Sequence, residues 1–262
     1  MIKATILVEE LNNKKYDELL NDIYVDTNLL DYQRERYVKA FNKYVSLYGD
    51  TDVEIYSAPG RSEVGGNHTD HQHGCVLAAA VNLDAIAVVG RVDNKIKVLS
   101  DDFDIAPINL EDLEIKKAGE GTSEALIRGV CARLKELGYN VGGFNAFITS
   151  DILMGAGLSS SAAFETIIGT IISGLYNDMT IDPVVIAQVG QYAENVYFGK
   201  PCGLMDQCAS SVGSLINIDF NDVAKPIVNK VDVNFSKFGH SLCIVDTKGS
   251  HADLTDEYAA IP

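Results

Sequence analysis

Residues 153 to 165, LMGAGLSSSAAFE, constrain the fold of this chain more than any other stretch. The preceding GGFNAFITS predicts a strand, and the apolar run after the serines predicts a helix. Gly155 and Gly157 allow a sharp turn between the two elements. Unpaired N–H groups and the positive end of the dipole at such a helix start favour an anion. The stretch therefore predicts a phosphate site, although no lysine follows the glycines as in a Walker loop. A capped helix without a ligand is the structural alternative.

A second polar stretch, AENVYFGKPCGLMDQCAS, covers residues 193 to 210. It places Glu194 twelve residues before Asp206, across a turn rich in glycine and proline. A helix end followed by a constrained loop can direct two carboxylates into one cleft. In the alternative interpretation, Asp206 caps the next helix and Glu194 is solvated, as is common for acidic residues at helix ends.

Residues 60 to 74, GRSEVGGNHTDHQHG, contain three of the five histidines of the chain, together with four glycines. The spacing of His68, His71 and His73 would permit a zinc site. A loop that holds a polar ligand is the other interpretation, and the stretch alone does not decide between them.

Composition excludes some classes of function. The chain has 262 residues, of which 47% are hydrophobic, so it can bury a large core in one domain or two. Its formal net charge of -16 repels polyanions, and we expect no nucleic-acid partner. An anionic substrate would need a locally positive electrostatic potential at its binding site, supplied by backbone N–H groups, basic side chains or a metal ion.

The cysteines and the apolar segments indicate a cytoplasmic protein. The five cysteines are odd in number and include no C-x-x-C pair, which is typical of a reduced compartment. Acidic residues stand where a signal peptide would be apolar. The most apolar stretch, GCVLAAAVNLDAIAVVG, is interrupted by Asn82 and Asp84, so we expect no membrane span.

Hydrophobic periodicity predicts an α+β fold, because β-hairpins precede helices instead of alternating regularly with them. Thr122 is the predicted N-cap of one helix and Gly138 its stop signal. Helices are predicted within 13–48 and over 122–137, 159–176 and 182–197. Strands are predicted over 52–58, 75–81, 84–91, 95–99, 142–150, 214–220 and 241–247.

Taken together, the three polar stretches resemble the GHMP family of small-molecule kinases, and within it the galactokinases. APGRSEVGGNHTDHQHG is similar to the galactokinase signature, MGAGLSSSAA to the GHMP phosphate loop, and GKPCGLMDQ to the family's Cys-Gly-Ile-Met-Asp-Gln segment. DTKGSHADLTDEY resembles a later segment, and the matches keep the family order from about residue 40 onward.

The resemblance implies an α+β GHMP kinase N-terminal domain, of the type of ribosomal protein S5 domain 2, over residues 1–210. Residues 211–262 would supply strands and only the start of a ferredoxin-like C-terminal domain. The family's third, glycine-rich motif does not follow residue 210. We therefore expect this chain to be the front part of a longer protein and to be inactive on its own.

The implied activity is ATP-dependent phosphorylation of the anomeric hydroxyl of galactose or a related sugar, with Mg²⁺. Asp206 matches the family's catalytic aspartate, and Arg61 the arginine beside it. Ser161 and Glu194 match the magnesium ligands. The positions that match phosphate-binding residues are Gly155, Ala156, Gly157, Leu158, Ser159, Ser160 and Ser161. The positions that match sugar-binding residues are Asn67, His68, Asp70, Gly203 and Tyr258.

One departure from the family pattern affects the predicted sugar site. The usual signature has asparagine at the position of Glu63 and glutamate at the position of Asn67. If the stretch is extended, these two side chains share one face, because side chains alternate with period two. Either Glu63 restores the carboxylate from the other side, or the pocket prefers a sugar altered at its far end or at its acetamido-bearing carbon. Of the two, we favour the changed preference.

Two alternatives for function remain at this stage. One is a non-catalytic sugar sensor on a galactokinase-like scaffold; the intact Ser-Ser-Ser-Ala stretch argues against it. The other is a GHMP kinase for mevalonate or homoserine. Such a kinase would not need the Asn-His-Thr-Asp loop, whose polar side chains are suited to binding several hydroxyl groups. The sequence does not indicate which sugar is bound or the oligomeric state.

Overall fold

A computed structural model describes residues 1–153, 156–233, 235–240 and 242–245, without the side chain of Ser236. It has the mixed α and β composition expected of an α+β fold. The strands are Ile2–Lys3 (β1), Asp52–Gly65 (β2), Cys75–Val92 (β3), Lys95–Ser100 (β4), Phe103–Asn109 (β5), Gly143–Ser150 (β6), Leu215–Asp219 (β7) and Ile227–Lys230 (β8). The helices are Ala4–Asn12 (α1), Asp17–Tyr24 (α2), Leu30–Tyr48 (α3), Ser123–Glu136 (α4), Ser160–Asn177 (α5), Pro183–Tyr192 (α6) and Met205–Val212 (α7).

The strands form one sheet in the order β1-β2-β3-β6-β4-β5, and β7 pairs with both β3 and β8. Neighbouring strands are antiparallel except β4 and β6, which are parallel. The long strand β3 organises the sheet, since its first part pairs with β7 and its second part with β6. It therefore connects the region near α7 to the central core.

Strand β3 corrects a prediction, because the two strands expected over 75–81 and 84–91 are one continuous strand. The two polar residues at the predicted break have partners inside the fold. Asn82 donates its side-chain N–H to the carbonyl oxygen of Tyr24 at 3.2 Å, and Asp84 accepts hydrogen bonds from Arg36 on α3. A satisfied polar residue does not interrupt a strand.

Helices cover both faces of the sheet. On β3, Ile86 and Val88 face the helices α1–α3, whereas Ala85, Ala87 and Val89 face the core formed with α4–α6. This alternation is the two-residue period of a strand that is buried on both faces. The fold is thus a layer of helices, a sheet and a second layer of helices.

The predicted helices are largely confirmed. The Thr122 hydroxyl accepts a hydrogen bond from the Ala125 N–H at 3.3 Å at the start of α4, and Gly138 follows its end with a φ of +86°. Helix α5 begins at Ser160, directly after the glycine-rich loop. The helix predicted over 182–197 is α6 followed by a π-helical turn at Ala193–Phe198. Helix α1 and the strands β1, β5 and β8 were not predicted from the sequence, and α7 was expected only in the alternative in which Asp206 caps it.

The boundary predicted at residue 210 remains a prediction, but β7 and β8 beyond it are hydrogen-bonded into the same sheet as β3. Of the strand predicted over 241–247, only 242–245 are described, and they do not form a strand. Within the described ranges, no helix is both long and apolar enough to cross a membrane.

Candidate active site

The loop before α5 is attached to strand β2. The Arg61 backbone N–H donates to the Leu158 carbonyl oxygen at 3.1 Å, and Arg61 Nη1 donates to the Gly157 carbonyl oxygen at 2.6 Å. A Cβ atom on Gly60 would lie 3.0 Å from that same Leu158 oxygen, so a glycine permits the close approach. The contacts hold the start of α5 against the middle of the sheet.

Arg61 and Asp206 form a two-point ion pair at this junction. Arg61 Nε donates to Asp206 Oδ1 and Nη2 to Oδ2, both at 2.6 Å. The Ser159 hydroxyl also donates to Asp206 Oδ2. Arg61 is buried, whereas the Asp206 side chain is 31% exposed. Strand β2, the loop before α5 and the start of α7 therefore meet at one carboxylate that a ligand can reach.

The environment of Asp206 favours its ionised form. Burial acts to raise the pKa of its carboxyl, but the charge and hydrogen bonds of Arg61 and the hydrogen bond from Ser159 outweigh it. The resulting pKa lies below the usual aspartate value. The N-cap of α7 is Leu204, not Asp206, so the alternative in which Asp206 merely caps that helix is wrong.

Glu194 lies in the π-helical turn after α6 and is buried, so the alternative of a solvated glutamate is also wrong. Its Oε1 accepts from the Ser161 hydroxyl at 3.4 Å and from Lys200 Nζ at 3.2 Å. Its Oε2 accepts from Gln207 Nε2 at 3.0 Å. A hydroxyl and a carboxylate converging at the start of a helix form an oxygen donor set of the type that suits Mg²⁺ when phosphates complete the coordination.

A further carboxyl, Glu165 on α5, is buried close to Glu194. Its Oε2 accepts from the same Gln207 Nε2 at 3.1 Å. Burial, and after it the charge of Glu194, raise the pKa of the Glu165 carboxyl well above its usual value. The site thus contains two acidic side chains in opposite conditions: Asp206 is held ionised, and the neutral form of Glu165 is favoured.

Asp70 and Gly203 are in very close contact. Asp70 is buried, and its Oδ2 accepts from the Met205 N–H at 3.2 Å at the start of α7. A Cβ on Gly203 would lie 1.7 Å from the same oxygen, which no side chain could tolerate. Both predicted sugar-binding positions are therefore brought together, and the glycine is needed for this approach.

The polar turn after β2 does not meet the condition that residues 63–67 are extended. Strand β2 ends at Gly65, and Asn67 and His68 both have left-handed backbones, with φ of +54° and +52°. Glu63 accepts from the His68 backbone N–H at 3.0 Å, and its Oε2 lies 3.2 Å from His68 Nε2. The carboxylate of Glu63 thus folds back over the turn. Asn67 and His68 are exposed.

The three histidines of this stretch do not converge. His68 lies against Glu63, His71 Nδ1 lies 3.3 Å from Asp70 Oδ1, and His73 Nδ1 lies 3.1 Å from the Asn221 carbonyl oxygen. Among the residues that the structure describes, no group of three or more His, Cys, Asp or Glu could hold a metal ion. The zinc alternative is not supported.

The remaining predicted positions differ in what they can contribute. Gly155 and Tyr258 lie outside the described residues. Ala156 is in a turn, and its N–H donates to the Leu153 carbonyl oxygen. The Leu158 side chain is buried, so only its backbone is available to a ligand. Ser160 and Ser161 are half-buried in the first turn of α5.

Three site residues were missed by the sequence analysis: Glu165, Lys200 and Gln207. Each lies in a stretch that the analysis quoted, and Gln207 directly follows Asp206. An internal glutamine or glutamate in a helix is usually exposed, and periodicity gives no sign of a buried pair. The only available signal was their position beside the predicted ligands.

Comparison with known proteins identifies the family to which this chain belongs. The family model described as the GHMP kinases N terminal domain matches residues 125–214, and the galactokinase galactose-binding signature matches residues 42–91. Together they span more than half of the chain, including Arg61, Ser161, Glu194 and Asp206. The chain belongs to the GHMP kinase family. Within that family it is similar to the N-terminal part of galactokinases.

Individual relatives agree with this assignment. The galactokinase of Streptomyces coelicolor is 32% identical over 220 residues, which are 82% of this chain and 56% of that protein. The crystal structure of Lactococcus lactis galactokinase complexed with galactose has a TM-score of 0.66 at 29% identity, covering 74% of this chain and 51% of that one. Methanococcus jannaschii mevalonate kinase, at 20% identity, shares the fold with a TM-score of 0.61 over 80% and 67% of the two chains. This chain spans about half the length of the curated relatives that it matches.

Proposed function

We propose that this protein is a sugar 1-kinase that transfers a phosphoryl group from ATP to the anomeric hydroxyl of galactose or a related sugar. One observation carries the proposal: the Arg61–Asp206 ion pair lies beside the start of α5 and is joined to it by Ser159. A helix start attracts phosphate, and a partly exposed carboxylate next to it can bind the acceptor hydroxyl.

Asp206 is suited to orienting the hydroxyl more than to deprotonating it. An effective general base has a pKa near the working pH, and Arg61 and Ser159 hold the pKa of Asp206 below its usual value. A carboxylate of this kind is a strong hydrogen-bond acceptor that stays charged. Because the transition state of phosphoryl transfer is loose, proton removal can come late, and position dominates catalysis.

In the proposed reaction, Arg61 acts on Asp206 and on the transferred phosphoryl group. Its guanidinium holds Asp206 ionised, and its positive charge offsets part of the negative charge of the transferred group. Nη1 is bound to the Gly157 carbonyl oxygen, so the cation is also anchored to the loop before α5. A lysine at this position could not make these three directed contacts, because it lacks the planar fork of donors.

Residues at the start of α5 would bind the nucleotide phosphates, with Gly155–Ser161 as the phosphate loop and Ser161 and Glu194 as the Mg²⁺ ligands. A bound Mg²⁺ would supply charge stabilisation and phosphate orientation there. The described donors fit such an ion, because a hydroxyl and one carboxylate oxygen meet while phosphate and water supply the other ligands. The backbone N–H groups of the helix start supply part of the positive potential that this acidic protein otherwise lacks.

The sugar is proposed to bind between the polar turn and the start of α7, with Asn67, His68, Asp70 and Gly203 as contacts. Tyr258, which lies outside the described residues, is proposed as a sugar-binding residue on the sequence resemblance alone. Asp70 already has a fixed orientation, since it accepts from the Met205 N–H. Its carboxylate has capacity left for hydroxyl groups. We place the protein in the cytoplasm, where ATP is available and the five cysteines would remain reduced.

The experiment that tests this function is a sugar-dependent ADP-release assay of the whole protein with Mg²⁺-ATP and a panel of hexoses and N-acetylhexosamines. Turnover with galactose or a close relative is expected. Binding of sugar and nucleotide without turnover on any member of the panel would contradict the kinase and favour a sensor. Turnover of mevalonate or homoserine, and of no sugar, would contradict the proposal that the substrate is a sugar.

A further inference from the structure

The amide of Gln207 lies between two buried carboxyl groups. Its Nε2 donates to Glu165 Oε2 at 3.1 Å and to Glu194 Oε2 at 3.0 Å. The three side chains are almost completely buried, with exposures of 1% for Gln207, 1% for Glu165 and 3% for Glu194. The NH₂ end of the amide faces both carboxyl groups and donates to one oxygen of each. The Cys202 sulfur lies 3.6 Å from the same nitrogen.

Glutamine is suited to this position because a neutral NH₂ group has two N–H bonds. Each bond serves one carboxyl group, and the bridge adds no charge to a buried site. Without it, two acidic groups would be buried near each other with oxygen atoms left unpaired, which is costly. A glutamate here would bring a third acidic group to the same place.

The two oxygens of Glu194 have separate partners. Gln207 occupies Oε2, and Oε1 is left to Ser161 and Lys200. Glu165 lies on α5, four residues after Ser161, so the other end of the bridge is attached to the helix that carries the hydroxyl ligand. Gln207 also follows Asp206 on α7, so the first turn of this helix carries Asp206 and contacts Glu194.

We propose that Gln207 is a positioning residue, which holds the Glu194 carboxylate so that Oε1 faces the metal ion, with Glu165 as the anchor of its amide. This inference rests on the proposed role of Ser161 and Glu194 as metal ligands. Partners that orient a ligand in this way typically change metal affinity by about 10- to 100-fold when they are removed.

The test is direct metal binding by the whole protein, with Mn²⁺ as the probe because it shares the preference of Mg²⁺ for oxygen ligands. The electron paramagnetic resonance signal of free Mn²⁺ is measured during titration in the presence of ADP. Gln207→Met, which keeps the length and removes both donors, should lower Mn²⁺ affinity about 10- to 100-fold. Gln207→Asn, which withdraws the amide by one methylene group, should give a smaller loss and decides the question if the methionine variant does not fold.

Gln33→Met is the matched control. Gln33 is 2% exposed, and its Oε1 accepts from Arg36 Nη1 at 3.2 Å on α3, in the opposite helical layer. This variant should lower the thermal unfolding midpoint and leave Mn²⁺ affinity unchanged. An equal loss of Mn²⁺ affinity in Gln33→Met would show that the loss in the Gln207 variants comes from general destabilisation, and it would overturn the proposal. Folded Gln207 variants with unaltered Mn²⁺ affinity would also overturn it.

The sugar assay separates this inference from the proposed function. If the unaltered protein binds Mn²⁺ with ADP and the Gln207 variants lose that binding, the positioning role stands even where no sugar is phosphorylated. If sugar turnover is found while the Gln207 variants bind Mn²⁺ normally, the function stands and the positioning role fails. Absence of Mn²⁺ binding by the unaltered protein would overturn the metal site and this inference with it.

Discussion

Among single residues, the closest approach in the site is between Gly203 and Asp70, where a Cβ would lie 1.7 Å from Asp70 Oδ2. Gly203→Ala must therefore displace the carboxylate or the loop that carries Gly203. We expect the KM for sugar to rise on the order of tenfold or more, because a 1 Å displacement in a site can cost that much or more. Steady-state kinetics measure this change.

The matched control is Gly119→Ala, since the nearest atom to its Cβ would be Thr122 Oγ1 at 3.8 Å. That variant should have unaltered kinetics. A Gly203→Ala enzyme with the sugar KM of the unaltered protein would remove Asp70 from the sugar site.

Asp206 gives a prediction about turnover. Asp206→Asn keeps the size of the side chain but removes the charge that pairs with Arg61 and that is proposed to accept the sugar hydroxyl. We expect kcat to fall on the order of a hundredfold or more with little change in KM, since the contact matters most in the transition state. Retention of most of the turnover would exclude Asp206 from catalysis.

The lowered pKa of Asp206 also predicts how stability depends on pH. The folded state favours the ionised carboxylate, so its contribution is fully present above the unfolded pKa of about 3.9 and is lost as the pH falls through the folded value. In urea unfolding, the stability difference between the unaltered protein and Asp206→Asn should be constant above about pH 5 and shrink below about pH 4. A difference that grows in acid would contradict the lowered pKa.

At the scale of elements, helix α3 is attached to the sheet through a buried ion pair. Arg36 Nη1 donates to Asp84 Oδ1 at 2.6 Å, and Nη2 donates to the Asp84 carbonyl oxygen at 2.7 Å. Arg36→Met would leave the Asp84 charge buried without its cation. We expect a loss of about 3–5 kcal/mol in the free energy of unfolding, measured with urea.

Lys39→Met on the same helix is the control for that experiment. Lys39 and Glu35 form a pair whose side chains are 78% and 72% exposed, so its loss should change stability by less than about 0.5 kcal/mol. Adding Asp84→Asn to Arg36→Met should recover part of the loss, because the unpaired charge is removed. Equal effects of the two single substitutions would contradict a structural role for the buried pair.

Elements with local signals could be predicted from the sequence, and those that depend on distant partners could not. Helix α4 carries its own cap and stop signal, and α5 follows a glycine-rich turn, so both were predicted nearly to their ends. Strand β3 was divided in two because Asn82 and Asp84 resemble a turn, and their partners lie on α2 and α3. The short strand β8 is supported by its pairing with β7 more than by its own residues.

For the molecule as a whole, the sequence motifs identified the main parts of the site and one of its connections. The resemblance placed Arg61 beside Asp206, and the structure has the two in direct two-point contact although they lie 145 positions apart. The turn at Asn67 and His68 could not be predicted from the sequence, because left-handed backbones in non-glycine residues leave only a weak trace in sequence. The buried Glu165–Gln207–Glu194 bridge depends on how α5, α6 and α7 pack, which no local pattern encodes.

A sugar 1-kinase is recognised by the position of the phosphate on its product. The whole protein is incubated with ATP, Mg²⁺ and the sugar that it prefers, and the product is examined by ³¹P nuclear magnetic resonance. We expect a phosphate monoester whose phosphorus couples to the anomeric proton, formed by the unaltered protein and strongly reduced in Asp206→Asn. A phosphate on any other sugar oxygen, or product formation that is unaffected by Asp206→Asn, would contradict it.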